Sequence, residues 1–210
     1  MTAESTDAVC GGWDASECEG TIHCPPRCPR FVDKRGARWT IRPAGPADLA
    51  PLAEMYERFG REDRAQGLPP VVRRQCAKWI ESVLAEGNNV VAERDGEVLG
   101  HAMYTPTDAD VPELAVFVHS AAQDRGVGTE LCRHVIANAA AADREAIELH
   151  VEAGNRIARN VYRTVGFEPG ERRSDLRMKL PLDAPVATEV RLPPLAREGP
   201  SEPSYSEPSQ

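Results

Sequence analysis

Two groups of residues in this sequence have the types and spacing to do chemistry. The first is the stretch Gln123, Asp124, Arg125, Gly126, Val127, Gly128 and Thr129. Ahead of it Leu114, Val116 and Val118 alternate with Ala115 and Phe117, a strand-like run, and after it Val127, Leu131, Val135 and Ile136 recur at helical spacing. A strand, a glycine loop and a helix start together present free backbone N–H groups to an anion, with Arg125 as a charged donor. Phosphate binding is the chemistry this arrangement fits. The second group is Cys10, Cys18, Cys24 and Cys28, with His23 beside Cys24. Four thiolates fill a tetrahedral site, so a structural metal, zinc first, is one reading. The gaps between the first three are wider than a CxxC knuckle, so thiols packed against the domain, or an iron–sulfur or redox role, stay open.

Composition bounds what these groups can serve. The chain has 210 residues, a net charge of −8 and six cysteines. It is long enough for one domain with extensions, and its mean hydropathy is −0.45. The acidic balance argues against non-specific binding to nucleic acid or anionic membranes. The first residues, MTAESTDAV, have neither the basic nor the apolar region of a signal peptide, and no apolar run is long enough for a membrane helix. A cytoplasmic location with reduced thiols is the expectation.

The elements that position the glycine loop follow in order. Residues 1–37 are rich in Pro, Gly and Cys and too poor in aliphatics to fold around their own core. A regular domain spans 38–180. It opens on the strand RWTIRPA. A helix follows, with Leu49, Leu52, Ala53, Tyr56 and Phe59 on one side. A second helix carries Val72, Cys76, Trp79, Ile80 and Val83. Cys76 and Cys132 fall on apolar stripes and read as core. Arg94, Asp95 and Gly96 mark a hairpin turn. After the glycine-loop helix come a strand (IELHV), a helix (NRIARNVYRTVGF) and a closing strand (SDLRMKL). Residues 181–210, rich in Pro, Glu and Ser, are expected to be disordered. The fold class is therefore a mixed α/β domain. A dinucleotide fold is excluded because the glycine loop does not open the first βαβ unit, and a P-loop because no Gly-Lys-Ser/Thr closes it.

The motif QDRGVG resembles the Q/R-x-x-G-x-G/A acyl-coenzyme A loop of the GNAT superfamily of N-acetyltransferases. Asn155, Ala158, Tyr162, Gly166 and Phe167 resemble the family's second block at the expected distance. The likeness covers about two-thirds of the chain and is nearest the small-molecule amine and amino-acid acetyltransferases, including the phosphinothricin type. It implies a mixed sheet of six or seven strands, flanked by about four helices and splayed between its two central parallel strands. It also implies acetyl-CoA as cosubstrate.

The resemblance assigns roles. Gln123 to Thr129 cradle the pyrophosphate. Main-chain groups of Phe117 and Val118 take the pantetheine arm, with Val116 near the thioester and a β-bulge near Leu114–Val116 opening the wedge. Asn155 bonds the arm or serves as a helix cap. Tyr162 is the general acid, or a packed tyrosine. Glu113 is the general base, or a rim residue, ahead of His101, His119 and His150. The acceptor is a small primary amine, amino-acid-like or polyamine-like. A protein or peptide amine, and a non-catalytic coenzyme A-binding or metal-stabilised module, are the alternatives. No nucleic-acid or membrane partner is expected, and a homodimer is left open. Charged residues in 61–74 and 105–111 are the candidates for acceptor choice.

Overall fold

The centre of the sheet is set by a hairpin. Asp95 and Gly96 hold φ of 55° and 80°, the left-handed pair that a two-residue turn between twisted strands requires. They join β3 (Asn88–Arg94) to β4 (Glu97–Thr105). The remaining elements in the computed structural model, which describes residues 15–60, 63–64, 68–172 and 175–197, build outward from this pair. They are β1 (Arg30–Val32), β2 (Arg38–Pro43), α1 (Leu49–Glu57), α2 (Arg73–Glu86), β5 (Glu113–Val118), α3 (Val127–Ala141), β6 (Ala146–Glu152), α4 (Arg156–Thr164), β7 (Glu168–Arg172), β8 (Asp175–Pro181) and α5 (Pro185–Glu189). The sheet runs β1-β2-β3-β4-β5-β6-β8-β7, and β5 with β6 is its parallel pair. No helix among the described residues is long and apolar enough to cross a membrane.

The sheet divides the core in two. Leu114, with Val116 and Val118, faces α3 and α4, where Leu131, Val135, Ile136, Ile147, Leu149 and Phe167 are buried. Ala115 and Phe117 face α1 and α2, where Tyr56, Trp79 and Phe117 meet edge-on at 5.5–5.7 Å. Gly100 on β4 lets α3 approach, since a Cβ there would lie 2.8 Å from Leu131 Cδ1.

Three expectations change. The sheet has eight strands rather than six or seven, because β1, from the segment read as an extension, pairs antiparallel with β2 through Phe31↔Trp39. The described residues hold five α-helices rather than about four, because α5 forms within 181–210, and Ala187 and Val190 are buried against the first core. Residues 198–210 lie outside the described residues. Both segments lack periodicity, and what orders their described residues is contact with distant parts of the chain. The third change concerns the bulge: β5 pairs β4 without interruption from Glu113↔Thr105 to Val118↔Gly100, and the irregularity sits instead at Ala92/Glu93.

Two buried histidines make stability depend on pH. His101 Nε2 lies 3.0 Å from Asn89 Oδ1, and the Asn89 amide nitrogen donates to Val83 O and Gly87 O. The Nε2–H tautomer follows, and Nδ1 accepts the Tyr56 hydroxyl at 2.7 Å. Burial pushes His101 down to about 4. His134 on α3 is likewise pushed down to about 4, by burial and despite Glu130 nearby. In the unfolded chain both titrate near ~6.5. Below that pH the unfolded state takes up protons that the folded state refuses, so the histidine contribution is complete above ~6.5 and falls toward pH ~4. The urea midpoint is expected to be flat above about pH 7 and to drop by a few kcal/mol equivalent between pH ~6.5 and ~4. A flat midpoint through that window would contradict the assignment.

Candidate functional site

The site is a seam in the sheet. Parallel β5 and β6 bridge at Glu113↔Glu148, with Glu148 N donating to Pro112 O at 3.1 Å, and pair no further along the described strands. Beyond that bridge the two strands diverge, the splay expected from the sequence. Strand parity identifies the groups left open. His119 N donates to Leu99 O, so Glu113, Ala115 and Phe117 direct their N–H and C=O groups to β4, where Phe117 pairs with His101. Val116 and Val118 direct theirs into the seam. Phe117, expected to offer main-chain groups, instead presents its ring to the α1/α2 core. The wedge needs no bulge in β5, because divergence from β6 is enough.

At the end of the seam the chain enters the glycine loop. The Gln123 amide nitrogen donates to Val118 O at 3.1 Å and to Asp63 Oδ1 at 3.0 Å, tying the strand end to the α1–α2 connection. Asp124 and Gly126 hold φ of 57° and 89°, which turn the chain into α3. The first backbone bond of the helix is Glu130 N to Gly126 O. The N–H groups of Val127, Gly128 and Thr129 therefore have no intrahelical acceptor. Gly128 is close to the strand, its notional Cβ lying 3.5 Å from Val118 Cγ2. An unpaired strand edge leading to unpaired helix N–H groups fits the elongated, phosphate-bearing coenzyme A. Arg125 is placed differently from expectation. Its Nε lies 2.5 Å from Asp33 Oδ2, in the turn between β1 and β2.

The candidate acid and base sit on opposite faces of the seam. Glu113, half exposed, is on the α1/α2 face, and its Oε1 lies 3.2 Å from His150 Nδ1 on β6. Tyr162 is on the α3/α4 face, buried and edge-on to Phe167 at 6.0 Å. Burial raises its pKa well above the usual phenol value, so the hydroxyl is protonated throughout the physiological range. Asn155 caps α4 by accepting Ala158 N at 3.0 Å, the local alternative to holding a ligand. Of the other histidines, His101 is sealed in the core, and His119 Nδ1 accepts Ala121 N. The pairing of Glu113 with His150 depends on β5–β6 register, and no local sequence signal announces it.

The residues considered for acceptor choice are not gathered at one place. Asp63 bonds Gln123 at the C-terminal end of β5, whereas residues 105–111 lead into its N-terminal end. Arg64 is latched to backbone carbonyls of Pro69, Tyr56 and Phe59, and Arg73 pairs with Glu57 at 2.6 Å. Arg61 and Glu62 lie outside the described residues.

Of the four-cysteine set, the three described members, Cys18, Cys24 and Cys28, form no metal-binding group. Among the described residues no three His, Cys, Asp or Glu side chains converge, and Cys10 lies outside them. Cys24 is exposed, and its Sγ accepts Thr21 N at 3.2 Å. The anchor of this segment is Arg27 instead. It makes a buried two-pronged ion pair with Glu130 on α3, at 2.6 and 3.0 Å, and donates to Val190 O at 2.7 Å. Cys18 O accepts Leu195 N, so the two terminal segments meet over α3. Cys76 and Cys132 are core, and burial pushes the Cys132 thiol up to about 12.

Comparison with known proteins follows the same lines. The model of the Acetyltransferase (GNAT) family matches residues 51–167. Two curated relatives, the L-methionine sulfoximine/L-methionine sulfone acetyltransferases of Pseudomonas paraeruginosa and Pseudomonas aeruginosa, are each 28% identical over 137 residues, covering 61% of this chain and 80% of theirs. Among solved structures, the GNAT domain of S. lividans PAT superposes with a TM-score of 0.67 at 23% identity, covering 78% of this chain and 100% of that one. The ribosomal-protein-alanine N-acetyltransferase from Brucella melitensis has a TM-score of 0.56 at 27% identity, covering 68% and 99%. With an opened parallel seam, a glycine loop at a helix start and a family match spanning both, the chain belongs to the GNAT acetyltransferase family and is an acetyl-CoA-dependent N-acetyltransferase.

Proposed function

We propose that this enzyme acetylates the primary amine of a small, amino-acid-like molecule by direct attack within a ternary complex. The observation that carries the reading is the seam, with a carboxylate on one face and a protonated phenol on the other. The likeness to methionine sulfoximine acetyltransferases supports the acceptor class. Acetyl-CoA supplies an activated acyl group as a thioester.

The chain's residues do the rest. Val116 and Val118 direct main-chain groups into the seam, where an N–H can polarise a carbonyl. Val127, Gly128 and Thr129 hold the pyrophosphate through N–H groups. Glu113 takes the proton that an ammonium must lose before it can attack, and His150 orients the carboxylate. Tyr162 holds a proton on the opposite face for the leaving sulfur. Among the described residues no Cys–His pair lies at the seam to form an acyl-enzyme, and Cys132 is a buried neutral thiol. Positioning supplies most of the rate.

The test is thiol release from acetyl-CoA across a panel of amines including methionine sulfoximine, phosphinothricin, polyamines and an alanine-initiated peptide. Turnover concentrated in the amino-acid analogues is expected. Preference for the peptide would favour acetylation of a protein amine, the reading that the Brucella relative's name supports. In the same assay Tyr162→Phe is expected to lower kcat by about a hundredfold, with KM for acetyl-CoA little changed. The ring and its contact with Phe167 survive that substitution. An unchanged kcat would reduce Tyr162 to packing.

A further inference from the structure

We propose that Lys34, carried on the turn between β1 and β2, is a phosphate-binding residue of the coenzyme A site, supplied by the N-terminal segment. The proposal rests on the acetyl-CoA reading of the seam and glycine loop. The family match begins at residue 51, so the lysine lies outside the matched domain.

The turn is bolted to the loop at three points. Asp33, whose side chain is 0% exposed, accepts Arg125 Nε at 2.5 Å. Lys34 N donates to Arg125 O at 3.1 Å. Phe31 Cζ lies 3.5 Å from the position that a Cβ on Gly126 would occupy. Asp33 also accepts Arg35 N, Ala37 N and Trp39 Nε1 at 2.8–2.9 Å, so the turn that presents Lys34 is rigidly made. These contacts fix where the lysine stem runs. Lys34 Cγ and Cε lie 3.9 and 3.7 Å from the same Gly126 position. These are ordinary van der Waals distances, so the lysine stem lies along the loop beside Gly126.

Charge then favours a ligand. Arg125, the loop's own cation, is matched by Asp33. Lys34 is exposed, and among the described residues it has no carboxylate within ion-pair distance, the loop's Asp124 included. Its stem runs beside the N-terminus of α3, whose dipole repels a cation. That juxtaposition is unfavourable alone. It becomes favourable when a multiply charged anion lies between the ammonium and the N–H groups of Val127, Gly128 and Thr129. The pyrophosphate and the ribose 3′-phosphate of coenzyme A share this chemistry.

The experiment compares wild type with Lys34→Ala, Lys34→Glu and Lys34→Arg. KM and kcat are measured with acetyl-CoA, acetyl-dephospho-CoA and S-acetylpantetheine, and CoA affinity is measured by calorimetry. Lys34→Ala is expected to raise KM for acetyl-CoA about tenfold at low salt, and Lys34→Glu more. Lys34→Arg should restore most of the affinity, with kcat unchanged throughout. With S-acetylpantetheine, which has neither phosphate group, the variants should match wild type. A penalty that persists with the dephospho compound assigns the contact to the pyrophosphate, and one that disappears assigns it to the 3′-phosphate. Equal KM for Lys34→Ala and wild type, or the same penalty with S-acetylpantetheine, overturns the proposal while leaving the acetyl-CoA reading intact. A wild type that binds no CoA overturns both.

Discussion

Arg27→Ala is expected to lower the unfolding free energy by about 3–5 kcal/mol, because it breaks a buried ion pair from one side. Arg27 and Glu130 are 4% and 5% exposed, so the carboxylate left behind cannot recover its pairing from water. Arg133 Nη1 at 3.4 Å and His134 Nε2 at 3.8 Å are poor replacements. Val190 O also loses its donor, which leaves the bond from Leu195 N to Cys18 O to join the two terminal segments. The cost comes from stranding a charge. The double variant Arg27→Met, Glu130→Leu should therefore recover most of the loss, because it removes both charges and keeps the volume. Urea unfolding of the three proteins checks this. A loss under about 1 kcal/mol for Arg27→Ala would mean that the terminal segments are not anchored by the pair.

Glu113→Gln is expected to lower kcat/KM for acetyl transfer by about two to four orders of magnitude, while stability changes by less than about 0.5 kcal/mol. The side chain is half exposed and pairs with His150, so exchange for the isosteric amide takes away a proton acceptor and little packing. An acceptor added as the free base at high pH should narrow the gap to wild type, because its proton is already gone. Turnover within a few-fold of wild type at neutral pH would remove Glu113 from the role of base.

What the sequence carried was local. The Asp95–Gly96 turn, the α2 stripe through Cys76 and Ile80, and the helix start at Gly126 are each written in residues a few positions apart, and each formed where its spacing indicated. Where the reading departed, the cause lay in contacts between distant residues. β1 and α5 are too short to show a period and exist because Trp39, Glu130 and α3 hold them. The four cysteines suggested a metal, although their spacing did not, and the anchor among the described residues is an arginine 103 positions from its partner. On β5 the candidate stretch was correct, yet which of its amides face the seam depends on register, and that assigned Val116 and Val118 rather than Phe117. Arg125 looked free for a phosphate until the turn at Asp33 was folded against it.

The most direct test is product analysis by mass spectrometry of one reaction, with wild-type enzyme, acetyl-CoA and L-methionine sulfoximine. The expected result is an amine bearing one acetyl group, free CoA thiol in equal amount, and enzyme whose intact mass is unchanged during turnover. Absence of the acetylated amine, together with silence across the amine panel, would contradict the small-molecule assignment. An acetyl group on the enzyme that forms and decays at the rate of turnover would contradict direct transfer.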